Sequence, residues 1–113
     1  MNKAIGIVEM FGFVTAIAAA DAAAKAADVK IIAVDTNKPA NAETVEVPLI
    51  TAIKIQGDVS AVKAAVDAAT ETANAISGVI CSHVISGPTD DAQKMAERIS
   101  VGRDIVGHIK NNA

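Results

Sequence analysis

One pattern of nine residues occurs twice in this chain, and it constrains the fold more than any other feature. Residues 12–20 read Gly-x-Val-Thr-Ala-Ile-x-Ala-Ala, and residues 57–65 read Gly-x-Val-Ser-Ala-Val-x-Ala-Ala. Each copy follows an apolar run typical of a strand and leads into an alanine-rich stretch typical of a helix, after which a β-branched run begins. Each Gly ends a strand, and Thr15 or Ser60 can bond free amides at the helix start. The pattern therefore predicts two β-α-β units.

Two such units in succession are the arrangement of a ferredoxin-like domain. We expect an α+β sandwich, in which a four-stranded antiparallel sheet carries both helices on one face. In the third strand, apolar side chains such as Ile53 and Ile55 alternate with the more polar Lys54, so the opposite face would be left free. The predicted strands cover residues 4–10, 29–34, 49–56 and 79–85. The side chains expected to share one face of the fourth strand are Val79, Cys81, His83 and Ile85.

A third helix is predicted near the end of the chain, over residues 91–110. Pro88 disfavours a helix before it, and the Asp90 side chain can cap the first turn. Gly102 and Gly107 each weaken the second half by about 1 kcal/mol relative to alanine. With a length of 113 residues, the whole chain, 1–113, is expected to form a single domain.

The composition indicates a core built from small aliphatic side chains. Hydrophobic residues make up 51% of the chain, yet there are only two Phe and neither Tyr nor Trp. Alanine buries little area, so we expect neighbouring subunits to contribute part of the stability. The net charge is −3 and no basic run occurs, which argues against nucleic-acid binding. No apolar stretch stays free of charge over the ~18 residues that a membrane span needs.

The cysteine content and the N-terminus both predict a cytoplasmic protein. Cys81 is the only cysteine, so no intrachain disulfide can form, as is usual in a reducing compartment. The short apolar run near the N-terminus is interrupted by Glu9 and lacks the cleavage region of a signal peptide.

The residues that usually carry chemistry are nearly absent, and we predict no catalytic, cofactor-binding or metal-binding residue. There is no Gly-rich phosphate loop, no Cys-x-x-Cys and no His cluster with metal-ligand spacing. Cys81 and His83 could form a ligand or thiolate–imidazole pair on one strand face, and symmetry could gather several copies. The more common roles are an apolar filler for Cys and a hydrogen-bonded side chain for His. Glu9 has no second carboxylate placed to act with it, and we expect it to bond backbone or a neighbouring subunit.

Between the second and third strands, residues 35–48 are polar and rich in turn formers. Hairpin loops usually span about 2–5 residues, and longer ones are often functional. The segment is therefore either a tolerated surface excursion or a functional loop.

Several of these segments resemble a known family, that of the bacterial microcompartment shell domain, or BMC domain. Residues 4–9, Gly12 and residues 19–29 resemble its opening, residues 57–65 its second signature, and residues 79–88 its last strand, in the family's own order. The resemblance implies a non-enzymatic structural subunit. Such subunits form cyclic homo-hexamers with a central pore for small metabolites, and they tile with other shell proteins into a polyhedral shell in the cytoplasm. It also implies that Lys25 lies at the edge between hexamers and that Glu9 and Asp58 serve the architecture.

The chain departs from the family pattern in two places. After the last strand, Ser86-Gly87-Pro88 replaces the usual Pro-Arg-Pro, whose Arg lies at the tiling edge. Between strands two and three, a longer loop stands where the family has a short Gly-rich pore loop. Six copies would crowd the symmetry axis with an expected −2 each, −12 in all, so we expect a narrow pore of low polarity. The residues expected in the pore region are Asp35, Thr36, Asn37, Lys38, Pro39, Ala40, Asn41, Glu43 and Glu46.

Two other interpretations remain open at this point. A trimeric small-molecule-sensing regulator of the nitrogen-regulatory PII type is also ferredoxin-like and has a long loop after its second strand. Such a regulator would need basic residues for nucleotide phosphates and usually a Tyr in the loop, whereas this loop holds only Lys38 and the chain has no Tyr. A small enzyme using Cys81 and His83 would lack a third, orienting group.

Overall fold

The two copies of the repeated pattern each begin a helix, as predicted. The computed structural model describes residues 2–38, 43–44 and 49–99. Gly12, with φ of 92°, and Asp58 directly precede the two helices, and neither helix start has a side-chain cap bond. The Thr15 hydroxyl, expected to bond helix amides, instead accepts a hydrogen bond from Ser77 at 2.9 Å. In chain order the elements are β1 Ala4–Phe11, α1 Phe13–Ala26, β2 Lys30–Asn37, β3 Ile50–Gly57, α2 Val59–Ile76, β4 Val79–Ile85 and α3 Asp90–Glu97.

The four strands form one antiparallel sheet in the order β2-β3-β1-β4. The predicted α+β, ferredoxin-like fold is therefore confirmed. β2 is longer than predicted, because Asp35, Thr36 and Asn37 continue the ladder with β3 opposite Ala52, Thr51 and Ile50. These three residues, expected in the loop, lie in the strand.

One face of the sheet is covered by α1 and α2, which also pack against each other. β1 approaches α2 at Gly6, where a Cβ atom would lie 2.6 Å from a Val66 methyl and 2.8 Å from a Val62 methyl. The close contact between β1 and α2 therefore depends on the absence of a side chain at Gly6. The buried residues of the two helices are mostly alanine: Thr15, Ala16, Ala19 and Ala23 on α1, and Val62, Ala65, Val66, Ala69 and Ala73 on α2.

The opposite face, expected to be free, is covered in part by α3. Gln93 of α3 exchanges amide hydrogen bonds of 2.6 and 3.0 Å with Gln56 of β3. Two residues along β3, the Lys54 ammonium donates to the Arg98 carbonyl at 2.8 Å. Gln56 and Lys54 alternate with Ile53 and Ile55, which belong to the core under α1 and α2. The end of the chain's described part therefore lies over β2 and β3 on the far side of the sheet.

A bulge in β4 corrects the predicted face of that strand. Cys81 pairs with Glu9 and Val79 with Met10, so Ile80 is an extra residue. Such an insertion changes the side-chain alternation. Val79 consequently packs against the core under α1 and α2, whereas Cys81 contacts Glu9 on the other face.

The third helix begins and ends differently from the prediction. Its N-cap is Thr89, not Asp90, because the Thr89 hydroxyl accepts a hydrogen bond from the Ala92 amide at 3.2 Å. It ends at Glu97, and Arg98 has extended backbone. The predicted helix over 91–110 therefore stops early, and residues 100–113 lie outside the described residues.

Candidate functional site

Five of the nine predicted pore-region residues lie within the described part of the chain. They divide between a strand and the segment that follows it. Asp35, Thr36 and Asn37 end β2, and Lys38 follows with its amide bonded to the Asn37 side-chain oxygen at 2.9 Å. Glu43 is exposed. The remaining predicted residues, Pro39, Ala40, Asn41 and Glu46, lie outside the described residues.

The root of this segment carries an ion pair that the sequence did not reveal. The Lys54 ammonium lies 3.3 Å from an Asp35 carboxylate oxygen, and the Lys54 side chain is only 10% exposed. Its other partner is the Arg98 carbonyl. Asp35 therefore does not add an unbalanced charge to the loop. With Lys38 against Glu43 and Glu46, the sequence beyond β2 carries −1 per copy instead of the expected −2.

A cleft of about 360 Å³ lies next to this ion pair, on the face of the sheet that α3 partly covers. Ala52 lies at its centre, with Glu9 of β1 and Asp35 of β2 directly opposite on the flanking strands. The cleft thus has a small apolar floor between two acidic side chains. It is lined by Glu9, Asp35, Thr36, Asn37, Ile50 and Ala52.

A second cleft, of about 560 Å³, lies near the start of β2 and beside α3. Its charged lining consists of two lysines, Lys3 and Lys30, and two acids, Asp28 and Glu97. The formal charges of this lining therefore sum to zero.

Cys81 and Glu9, both considered as chemical candidates, contact each other across β4 and β1. The Cys81 thiol donates to a Glu9 carboxylate oxygen at 3.8 Å. Desolvation raises the pKa of the Cys81 thiol, and the charge and hydrogen bond of Glu9 raise it further. His83 pairs with Ile7, two residues further along the same strands. Within the described residues, no three His, Cys, Asp or Glu side chains are grouped to hold a metal ion.

We therefore expect Glu9→Gln to lower the pKa of Cys81 and to speed alkylation of its exposed thiol. Because the thiolate is the nucleophile, the rate near pH 8 should rise about two- to fivefold. The rate of iodoacetamide labelling against pH measures this. The neutral glutamine keeps the shape of the side chain, so an unchanged pH profile would mean that Glu9 does not influence the thiol.

Lys25, the predicted edge residue, lies in the last turn of α1. Its ammonium is 2.7 Å from the Asp21 carboxylate, one turn earlier, and its side chain is 75% exposed. A lysine in the last turn suits the negative end of a helix dipole. Its position leaves the long side chain accessible to a neighbouring molecule.

An exposed apolar cluster, which we call the corner patch, was not found by sequence reasoning. It lies where the start of α1 meets the end of α2 and the start of β4, since Ser77 bonds Thr15 and the Phe11 carbonyl. Val14 is 80% exposed. The signal available in the sequence was the concentration of bulky apolar side chains at the start of an otherwise alanine-rich helix. The corner patch consists of Phe13, Val14, Ile17, Ile76 and Ile80.

Comparison with known proteins identifies the family. A family model for the BMC domain matches residues 4–88. The chain is 39% identical over 94 residues to the bacterial microcompartment shell protein PduA of Citrobacter freundii, covering 83% of this chain and 91% of that protein. It is 37% identical over 93 residues to the shell protein EutM of Escherichia coli K12, covering 82% and 87%.

A solved structure agrees with these matches. A microcompartment protein from Desulfitobacterium hafniense DCB superposes with a TM-score of 0.65 at 26% identity, over 83% of this chain. The chain spans about half, 48%, of the length of that protein. The matches give no support to the PII-type regulator, and these relatives are named as bacterial microcompartment shell proteins. None of the helices in the described ranges is long and apolar enough to cross a membrane. Because the family model and these relatives each cover most of the chain, the chain belongs to the BMC domain family of bacterial microcompartment shell proteins.

Proposed function

We propose that this chain is a structural subunit of a bacterial microcompartment shell in the cytoplasm, and that six copies close into a ring that tiles with other shell proteins. The observation that carries the ring is the corner patch, whose exposed side chains include Val14 at 80%. A contiguous apolar patch on a small domain usually marks an interaction surface. The alanine-rich core adds to this, because it buries little apolar area within one subunit.

The mass of the assembly tests this proposal. Sedimentation should give about 69 kDa, six times the 11.5 kDa of one chain. Val14→Lys should dissociate the ring, because it places a charge in an apolar contact. Ala24→Lys, at an exposed alanine of the same helix, is the matched control and should leave the mass unchanged. A stable monomer or trimer of the unaltered protein at micromolar concentration contradicts the ring.

For the tiling edge, we propose Lys25. A long side chain can lie along a neighbouring ring and donate hydrogen bonds to its carbonyls. Lys25→Ala is expected to keep the mass of the ring and to abolish sheets in electron micrographs. Lys63→Ala, at another exposed helical lysine, should form sheets normally. Dissociation of the ring itself by Lys25→Ala would assign this residue to a different contact.

For the centre of the ring, we propose that the segment between β2 and β3 narrows the pore and makes it less polar. The support is that Asp35 is paired with Lys54 at the root of the segment. The six copies then bring −6 to the axis from Lys38, Glu43 and Glu46, half of the −12 expected before. Fewer charged side chains then have to turn away from the axis. When they do, the apolar side chains of the segment are left to line the pore, namely Pro39, Val45, Val47 and Pro48.

We infer from this lining that the pore is not the main route for polar metabolites. A cryo-electron microscopy map of the ring tests the inference. We expect a constriction lined by apolar side chains at the sixfold axis. An open, water-filled channel lined by backbone amides contradicts it.

A further inference from the structure

The cleft centred on Ala52 has the features of a site that a peptide segment covers. Its floor is apolar, because Ala52 and Ile50 lie side by side on one face of β3. Glu9 stands at one side and is only partly exposed. At the other side, Asp35 is already paired with Lys54. An occupant that suits this cleft would present apolar side chains to the floor and positive charge towards Glu9.

The described chain ends at the entrance to this cleft. Gln93 is bonded to Gln56, and Arg98 is bonded to Lys54, so the described chain from Gln93 to Arg98 advances in the direction of Ala52. Ala52 is the next residue beyond Lys54 on this face of the strand. The Lys54 ammonium therefore holds the chain in position and gives it a direction along the sheet.

We propose that this cleft is the docking site of the chain's own C-terminal segment, residues 100–113. The floor from Lys54 to Ile50 is about 13 Å long at the rise of a strand, and 14 residues can span up to about 46 Å, so the reach is ample. The proposal is separate from the ring proposed above, since no residue that lines the cleft belongs to the corner patch.

The sequence of the segment suits both the apolar floor of the cleft and the negative charge of Glu9. Val101, Ile105 and Ile109 follow one another at intervals of four, the spacing of one helical face. The segment has two basic residues, Arg103 and Lys110, and one acidic residue, Asp104, so its net charge is positive. The cleft presents the negative charge of Glu9. Apolar contact to the floor and attraction to Glu9 would therefore act together.

Accessibility of a reporter thiol at the floor tests the proposal in the full chain. Ala52→Cys is made in a Cys81→Ser background, so that it is the only thiol. Ala22→Cys on α1, also partly exposed, serves as the reporter on the opposite face. Ile105→Asp with Ile109→Asp should release the segment. Asn111→Asp with Asn112→Asp adds the same charge without removing an apolar side chain and is the matched control.

We expect the released variant to raise the alkylation rate at position 52 about tenfold, because protection falls with the population of the closed form. In the matched control, the alkylation rate at position 52 should stay within about twofold of the rate with the unaltered segment. The rate at position 22 should also change by less than about twofold, both in the released variant and in the matched control. A second release variant, Arg103→Glu with Lys110→Glu, should also raise the rate at position 52 through repulsion from Glu9. Equal rates at position 52 with and without either release variant overturn the proposal.

Mixing experiments separate the chain's own segment from other occupants. Released reporter subunits are co-assembled with an excess of subunits that carry an intact segment and no thiol. If the reporter stays fast, the segment acts within its own chain, as proposed. If protection returns, a second copy supplies the segment, and the proposal in its present form is wrong.

Discussion

A single methyl group added at Gly6 is expected to lower the free energy of unfolding by about 2–3 kcal/mol, near the upper end for overpacked cores. The new Cβ atom would lie 2.6 Å from Val66 and 2.8 Å from Val62. Valine side chains in a helix have one strongly preferred rotamer, so neither methyl can turn away freely. Helix α2 would have to move off β1. Urea unfolding of Gly6→Ala at fixed protein concentration measures the loss.

Two further variants make this prediction specific. Gly87→Ala is the matched control, because Gly87 is exposed and its backbone does not adopt a positive φ. It should change the stability by less than about 0.5 kcal/mol. Val66→Ala removes the nearer of the two close contacts, so the double variant Gly6→Ala/Val66→Ala should be more stable than the sum of its parts predicts. A Gly6→Ala protein as stable as Gly87→Ala would contradict the close packing of β1 on α2.

The ion pair between Lys54 and Asp35 should respond unequally to loss of either partner. Asp35→Ala leaves the ammonium of Lys54 without its carboxylate. Water can replace that partner only in part, because the Lys54 side chain is only 10% exposed. Breaking a fully buried pair in this way costs about 3–5 kcal/mol. Asp35 is itself 34% exposed, so solvent screens part of the effect, and we expect about 1–3 kcal/mol.

Lys54→Met should be the milder change, although it removes the more buried residue. Methionine fills a similar volume, and the Asp35 carboxylate that remains can be hydrated. We expect a loss below about 1 kcal/mol, together with faster amide exchange in α3, since the Arg98 carbonyl loses its donor. Chemical unfolding and hydrogen exchange check the two effects. If Lys54→Met is as harmful as Asp35→Ala, the bonds of the Lys54 ammonium to Asp35 and Arg98, and not its apolar stem, contribute most of the stability.

The β-α-β repeat was sufficient to predict the sheet, because strand alternation and helix starts are local properties of the sequence. Residues 12–20 and 57–65 each follow a strand and lead into a helix, as expected. Ile53 and Ile55 face the helices, also as expected. The family resemblance, which rests on the same segments, is confirmed by the match over residues 4–88.

The errors arose where pairing between distant residues decides the outcome. Asp35, Thr36 and Asn37 have turn-forming side chains, yet they remain in β2 because β3 offers a continuous ladder. The bulge at Ile80 leaves no local signal, since it depends on the register between β4 and β1. Lys54 is polar in sequence but buried in the fold, because Asp35 and the Arg98 carbonyl both reach its ammonium.

The position of α3 could not be predicted for a related reason. A short amphipathic helix can pack on either face of a sheet, and the choice depends on particular contacts. Here Gln56 and Gln93 recognise each other through paired amides, a contact between residues 37 positions apart. The corner patch contains no chemical group that a motif would reveal, because it is made of aliphatic side chains and one phenyl ring.

The alanine-rich packing of α1 and α2 has a consequence for how such a subunit can change during evolution. Alanines such as Ala19, Ala69 and Ala73 are fully buried, and helices that meet through small side chains lie near the short end of the usual 8–10 Å separation. A larger side chain in this seam would widen the whole subunit. If subunits tile with other shell proteins as proposed, they must keep a common width to remain in register. In such a lattice, neighbouring subunits as well as the stability of one chain would limit which substitutions these buried alanines tolerate.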